Sequence, residues 1–141
     1  MPVSSRIRDA LKAFYEVTGG VSWAGNDQWL EGPGSECDWE RVRCNSAGNE
    51  VNELDLGNFG LVGTLPTQIG DLSAEGDVEM SLWENDISGT LPTQFGKLTA
   101  GGKMTISLDG NSFSGTLPSE LGNWHSDGNM FLWMYGNSIS G

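Results

Sequence analysis

The stretch SLWENDISGTLPTQFGKL (residues 81–98) decides the fold, because its central phrase SGTLP returns along the chain. VGTLP occupies residues 62–66, SGTLP occurs again at residues 114–118, and the last two residues are once more SG. A constant period of 26 residues separates the glycines of the phrase, which are Gly63, Gly89, Gly115 and Gly141. Repetition at such a period is typical of a solenoid, in which each turn of chain contacts only its neighbours.

Each turn contains a short segment in which apolar residues alternate with other residues. This period of two predicts a strand with one buried face. The four predicted strands are residues 52–56, 78–82, 104–108 and 130–134. Further inward positions are predicted at Leu65, Leu91, Leu117, Ile69, Phe95 and Leu121. One turn of this length cannot bury its own apolar face, so stacked turns must share a continuous core.

An asparagine follows three of the predicted strands and predicts a turn, because its amide bonds to main-chain groups and tolerates left-handed backbone. This turn ladder consists of Asn85, Asn111 and Asn137. The first turn has Phe59 in the equivalent place, with Asn58 one position earlier. We therefore expect either a shifted turn that uses Asn58 or an irregular first rung.

These columns resemble the plant-type leucine-rich repeat, LxLxxNxLSGxLPxxLGxL, over residues 51–141. The resemblance implies an α/β solenoid, a right-handed superhelix with a short parallel β-sheet on its concave face. The segments SAEGD, TAGGK and HSDGN depart from the pattern, since they are polar and two residues longer than in the usual 24-residue repeat. We expect a glycine-hinged bulge there, with a thinner core on that side.

Residues 1–50 are predicted to close the first turn as an N-terminal cap of the same single, C-terminally open domain. SSRIRDALKAFYEVTGG (residues 4–20) predicts a helix with a serine N-cap that ends at the glycine pair. Its buried face would carry Ile7, Leu11, Phe14 and Tyr15. The following segment resembles the cap of the leucine-rich-repeat family, with Cys37 and Cys44 at its cysteine positions and Arg41 where a glycine is usual. Its aromatic fillers are matched by Trp23, Trp29 and Trp39.

The two cysteines are too few for structural zinc, which needs four ligands, even with the single histidine of the chain. The family resemblance favours a Cys37–Cys44 disulfide, while buried free thiols and a reactive pair are the alternatives. A disulfide implies an oxidising compartment. Together with the resemblance, it predicts an extracellular or cell-surface location, although residues 1–17 lack the apolar centre of a signal peptide.

Charge and motifs exclude several functions. Nineteen acidic residues against seven basic ones give a net charge of −12, which argues against nucleic acid and anionic membrane surfaces. No apolar run is long enough to span a membrane. His125-Ser126-Asp127 has the residue types of a hydrolase triad, but adjacent residues cannot contact one another in that geometry. TAGGKMT (residues 99–105) lacks the spacing of a phosphate loop. We expect neither an enzyme nor a bound cofactor or metal.

Binding is instead expected on the outward side of the predicted parallel strands. Exposed aromatic residues beside polar groups favour recognition of a protein, a peptide or a polysaccharide. The predicted aromatic contacts are Trp83, Phe131, Trp133 and Tyr135. The predicted acidic rim consists of Glu53, Asp55, Glu79 and Asp109.

Two alternatives compete with this hypothesis. The sequence stops within a turn, so the last aromatic residues could be covered by a further turn or by a second copy of the chain. The other alternative is a structural or ice-binding solenoid, because threonines form regular columns on another side. These columns are Thr64, Thr90 and Thr116, and Thr67, Thr93 and Ser119.

Overall fold

A computed structural model describes residues 2–140 and shows the predicted solenoid of stacked turns. One α-helix precedes the strands, and each strand is short. The elements are α1 (Ser5–Val17), β1 (Val42–Cys44), β2 (Val51–Asp55), β3 (Val62–Gly63), β4 (Val78–Ser81), β5 (Asp86–Gly89), β6 (Thr99–Ala100), β7 (Met104–Ser107), β8 (Ser112–Gly115), β9 (His125–Ser126), β10 (Met130–Trp133) and β11 (Ser138–Ile139). The predicted fold class is confirmed.

The main sheet has the strand order β1-β2-β4-β7-β10. Its last four strands are parallel and in register at 26-residue intervals, so that Glu53 lies beside Glu79 and Ser81 beside Ser107. β1 adds an antiparallel strand next to β2, which the repeat pattern did not predict. We call the outward side of this sheet the concave face.

The inward side of the main sheet forms the core. Leu56, Leu82 and Leu108 are fully buried at equivalent positions of three turns. Met134 and Leu132, in the last turn, are only half-buried and contact the core from one side. Burial of the apolar face therefore depends on stacking, as expected for a solenoid.

The residues that lead into the glycine of each SGTLP phrase form a second parallel sheet, with the order β11-β8-β5-β3. The glycine of the phrase ends each strand with a left-handed backbone, with φ of 102° at Gly63, 80° at Gly89 and 74° at Gly115. A side chain is disfavoured there by both the backbone conformation and the space, because a Cβ on Gly63 would lie 2.2 Å from the carbonyl oxygen of Val17. The fourth glycine of the series, Gly141, lies outside the described residues.

The expected glycine-hinged bulge is found only in part, because the chain bends at Gly76, Gly101 and Gly128 but pairs with its neighbours just before these bends. The polar segments form a third parallel ladder, in which β6 pairs with β9 and Ala74 bridges to Ala100. The glycines also allow close stacking, since a Cβ on Gly101 would lie 1.9 Å from the carbonyl oxygen of Glu75. Small side chains fill this side, with Ala74 and Ala100 buried.

Amide side chains join successive turns at the end of each main strand. Asn85 accepts hydrogen bonds from the backbone N–H groups of Phe59 and Leu61, both at 3.0 Å, and donates one to the Leu56 carbonyl at 2.9 Å. Asn111 and Asn137 make the equivalent bonds one and two turns later. The side chain of Phe59 is buried instead, so the first rung is irregular.

The N-terminal cap closes the first turn as predicted. Ser4 caps α1 by accepting a hydrogen bond from the N–H of Ile7, and Cys37 and Cys44 form the expected disulfide. Three buried indoles share the cap core with Tyr15, at centroid distances of 4.9–5.7 Å. These are Trp23, Trp29 and Trp39.

Arg41 occupies the position at which the related caps usually have a glycine, and its φ of 71° explains that preference. A left-handed conformation costs a residue with a side chain about 1–2 kcal/mol. The arginine offsets this cost with two contacts of its guanidinium group. It lies 5.2 Å from the centre of the Phe59 ring and 3.5 Å from the Asp55 carboxylate.

Candidate ligand-binding face

Register in the main sheet aligns the predicted contact residues into columns on the concave face. One column contains Glu53, Glu79, Thr105 and Phe131, and the next contains Asp55, Ser81, Ser107 and Trp133. A third column follows the strand ends, where backbone hydrogen bonds connect the turns at Trp83, Asp109 and Tyr135. The columns therefore place acids on the early turns and aromatic residues on the last one.

The acids of the first turn are already paired within the chain. Arg43, on β1, lies directly opposite Glu53 and approaches its carboxylate to 3.2 Å. Arg41 approaches the Asp55 carboxylate to 3.5 Å. β1 thus brings two cations to this end of the face, where the sequence predicted a free acidic rim.

The later turns form an open cavity of about 510 Å³ at the strand ends. Three of the predicted aromatic contacts line it with exposed side chains, Trp83 at 38%, Trp133 at 50% and Tyr135 at 71% exposure. Asp109 contributes a carboxylate. Phe131 is also exposed, but it lies outside this cavity, as do Glu53, Asp55 and Glu79.

Two glycines let side chains of one turn lean over another turn beside the cavity. The Trp83 ring covers Gly57, where a Cβ would lie 2.3 Å from the ring. The Glu84 carboxylate lies over Gly110, where a Cβ would be 2.9 Å from its oxygen. Trp83 therefore leans toward the first turn, away from the turn that carries Asp109.

Glu84 and Ser107 complete the cavity lining, and neither was among the predicted site residues. Ser107 lies in the middle column of the sheet, so its place was accessible from the period. Glu84 has a left-handed backbone with φ of 54°, which directs its side chain across the neighbouring turn. The period contains a signal for this conformation, because the equivalent positions of the other turns are Asn58, Gly110 and Gly136, which also have positive φ.

The negative charges of the cavity affect the pKa of the Tyr135 phenol. The Asp109 carboxylate raises the pKa of Tyr135, chiefly through its negative charge and also as a hydrogen-bond acceptor, and the charge of Glu84 adds to the effect. Ionised phenolate would repel both carboxylates. The two acids of adjacent turns therefore act on one point of the cavity.

The threonine columns lie elsewhere, where the SGTLP strands end. Thr64, Thr90 and Thr116 are exposed, and the methyl group of Thr64 lies against Gly89 of the next turn. The hydroxyls of Thr67 and Thr93 each donate to the glutamine that follows. The columns are regular, and the ice-binding alternative stays a prediction.

Two other predicted features can be placed. The His125 ring pairs with Asp127 at 2.9 Å, but the hydroxyl between them, on Ser126, donates to the backbone carbonyl of Gly102 at 2.6 Å. The adjacent residues thus do not form the geometry of a triad. Residues 2–140 contain no cluster of three or more side chains suited to hold a metal ion. None of the helices described is long and apolar enough to cross a bilayer.

Comparison with known proteins agrees with this architecture. The family model of the leucine-rich repeat matches residues 104–124. No curated protein has a significantly similar sequence. The predicted resemblance to plant-type leucine-rich-repeat proteins is confirmed by the structures below.

Solved structures share the fold at low sequence identity. The PEPR1–AtPEP1 structure has a TM-score of 0.67 and 20% identity, over 92% of this chain and 18% of that one. The BIR2 ectodomain from Arabidopsis thaliana has a TM-score of 0.64 and 19% identity, over 92% of this chain and 70% of that one.

The ectodomain of the Arabidopsis thaliana receptor kinase GASSHO1/SCHENGEN3, in complex with CASPARIAN STRIP INTEGRITY FACTOR 2, has a TM-score of 0.60. Its identity is 17%, over 95% of this chain and 21% of that one. The chain thus spans about a fifth of the length of PEPR1 and of GASSHO1/SCHENGEN3.

Proposed function

The chain is a leucine-rich-repeat solenoid, and from that premise we propose that it is a non-catalytic binding module. Its concave face recognises an extended peptide or a segment of a protein. The observation that carries this proposal is the cavity at the strand ends, where Trp83, Trp133 and Tyr135 are exposed together. Aromatic side chains that stay exposed beside polar groups are frequent anchors of protein recognition.

Two of the similar structures support a peptide or protein ligand. The PEPR1 structure contains AtPEP1, and the GASSHO1/SCHENGEN3 ectodomain is in complex with CASPARIAN STRIP INTEGRITY FACTOR 2. A polysaccharide is the other ligand class that could stack on exposed rings. The disulfide and the fold favour an extracellular or cell-surface location for this recognition.

A peptide library tests the proposal. Purified protein is incubated with an immobilised library of random short peptides, and bound sequences are ranked for the wild type and for a Trp133→Ser/Tyr135→Ser variant. We expect enriched peptides whose binding to the double variant falls at least about tenfold, because anchor residues contribute more than about 1 kcal/mol each. Light scattering on the same samples reports the oligomer size.

Val21→Ser is the matched control, since Val21 is an exposed apolar residue of the cap. It should leave peptide binding unchanged. Unchanged peptide binding by the double variant, together with an altered oligomer size, would show that these rings cover a contact between copies. An array of plant polysaccharides run in parallel separates the two ligand classes, and binding confined to the glycans would overturn the peptide proposal.

A further inference from the structure

At two sites within residues 2–140, one arginine is held by an aromatic ring and a carboxylate together. Arg8 lies 5.1 Å from the ring centre of Trp39 and forms an ion pair with the buried Glu36. Arg41 lies 5.2 Å from the ring centre of Phe59 and pairs with Asp55. Both sites combine attraction to a ring face with attraction to a carboxylate.

The cavity of the concave face also combines aromatic rings with carboxylates, but no arginine of the described chain lines it. It offers the rings of Trp83, Trp133 and Tyr135 and the carboxylates of Glu84 and Asp109. Among residues 2–140, no lysine or arginine forms a salt bridge with either carboxylate, and none lines the cavity. The first turn of the same face, in contrast, has its acids paired with Arg41 and Arg43.

We propose that this cavity binds the guanidinium group of an arginine side chain from the peptide ligand. The inference rests on the proposed function and specifies the ligand chemistry of the same face. The charge of the arginine complements the two carboxylates, and its planar group can lie against the exposed rings. The ligand would thus supply the cation that the chain itself supplies at its other two sites.

Arginine suits these surroundings better than lysine does. The guanidinium group is planar, more weakly hydrated than an ammonium group, and presents five N–H donors in a fixed plane. It can therefore donate to carboxylates on two adjacent turns while its face contacts a ring. Glu84 and Asp109 are neighbours on adjacent turns, where the backbone N–H of Glu84 donates to the carbonyl of Asp109 at 2.9 Å. The hydroxyl of Ser107 is a further acceptor in the lining.

A set of three short capped peptides tests the proposal on the wild-type protein. The peptides are identical except for a central arginine, lysine or citrulline, the last being a neutral group of nearly the same shape. Binding is followed by the indole N–H signals of the ¹⁵N-labelled protein at low salt. Trp23, Trp29, Trp39 and Trp124 donate their indole N–H to protein oxygens, so their signals act as internal references.

We expect the arginine peptide to shift the indole signals of Trp83 and Trp133 and to leave the four reference signals in place. The citrulline peptide should bind at least about fivefold more weakly, because it loses the cation–π and charge-assisted contacts. The lysine peptide should fall between the two. Equal affinities for the arginine and citrulline peptides would overturn the proposal, as would equal affinities for arginine and lysine.

Two variants separate a local site from the general attraction of an acidic protein. Asp109→Asn and Glu16→Gln each remove one negative charge, the first in the cavity and the second on the exposed side of α1. We expect the first to weaken the arginine peptide about fivefold and the second to leave its affinity unchanged within error. Equal losses would show that only the net charge attracts the peptide, and would contradict the proposal.

The outcome for the proposed function can be distinguished from the outcome for this inference. Library peptides that require Trp133 and Tyr135 but bind equally well without arginine would leave the proposed function standing and overturn the arginine site. Binding of all peptides independently of Trp133 and Tyr135 would overturn both. The unchanged reference signals show in each case that the variant is folded.

Discussion

The cap and the concave face each have a group of aromatic residues, and the two groups are used in opposite ways. The cap cluster consists of Tyr15, Trp23, Trp29 and Trp39, whose rings contact one another in the core. The face cluster consists of Trp83, Trp133 and Tyr135, which line an open cavity. Residues of the same chemical type thus stabilise one end of the solenoid and remain accessible to ligand near the other.

Hydrogen bonding explains how the cap can bury its indoles. Trp29 donates to the Glu40 carbonyl at 2.8 Å, Trp39 to the Ser35 hydroxyl at 3.0 Å and Trp23 to the Thr18 carbonyl at 3.1 Å. A buried indole without such a partner would be costly. The face cluster needs no internal partner because water reaches it. The difference indicates that a tryptophan is buried in this fold where a backbone or hydroxyl acceptor lies near its indole N–H.

The strongest test of this comparison exchanges one ring from each cluster for alanine. Trp39→Ala should lower the free energy of unfolding by about 3–5 kcal/mol, because Trp39 is only 1% exposed and its removal leaves a large cavity. Trp133→Ala should lower the free energy of unfolding by less than about 1 kcal/mol, because an exposed cross-strand contact contributes no more than that. Urea denaturation followed by circular dichroism measures both. Similar losses for the two variants would refute the division into a structural and an accessible cluster.

The disulfide provides the next largest effect, because it closes the loop that contains Trp39. A Cys37→Ser/Cys44→Ser variant should lose about 2–3 kcal/mol of unfolding free energy, as the unfolded chain regains the freedom of this loop. The indole signals of Trp83 and Trp133 should keep their positions in the folded variant. An unchanged urea midpoint would mean that the ring contacts alone hold the cap.

The titration of Tyr135 tests the face cluster without an unfolding experiment. Its pKa lies above the ordinary value of about 10 because ionisation would place a phenolate beside Asp109. Asp109→Asn removes that negative charge, so the phenol should lose its proton at lower pH in the variant. The near-ultraviolet absorbance of phenolate measures the shift, with Tyr135→Phe identifying the transition that belongs to this residue.

Glu16→Gln again controls for net charge and should leave the Tyr135 transition in place. A Tyr135 pKa that is the same in the wild type and in Asp109→Asn would show that the two side chains do not interact in solution. That result would remove the electrostatic support for a shared cavity.

The repeated letters made most of the fold predictable. The alternation within each 26-residue turn predicted the strands, and the family resemblance predicted their parallel sheet, the helical cap and the Cys37–Cys44 disulfide. The prediction was incomplete at the polar segments, where glycine was interpreted only as a hinge. Glycine also permits close approach of two backbones, and Gly101 serves that purpose. A single glycine in a sequence does not distinguish these two roles.

The site was predictable only in part, because the period fixes which residues share a column but not how far their side chains lean over neighbouring turns. Trp83, Asp109, Trp133 and Tyr135 were predicted on the outward side, and they line one cavity. Glu84 was missed, although Asn58, Gly110 and Gly136 at the equivalent positions indicate a left-handed backbone there.

The sequence by itself determined that turns of 26 residues stack in register, because identical turns can bury their apolar sides only against one another. The tertiary structure alone decided which acids of the concave face carry an unbalanced charge. β1 folds back antiparallel beside β2, so that Arg43 and the preceding Arg41 reach the acids of the first turn, whereas within residues 2–140 no lysine or arginine pairs with Asp109. Charge compensation depends on distances between residues far apart in sequence, and a periodic pattern contains no information on them.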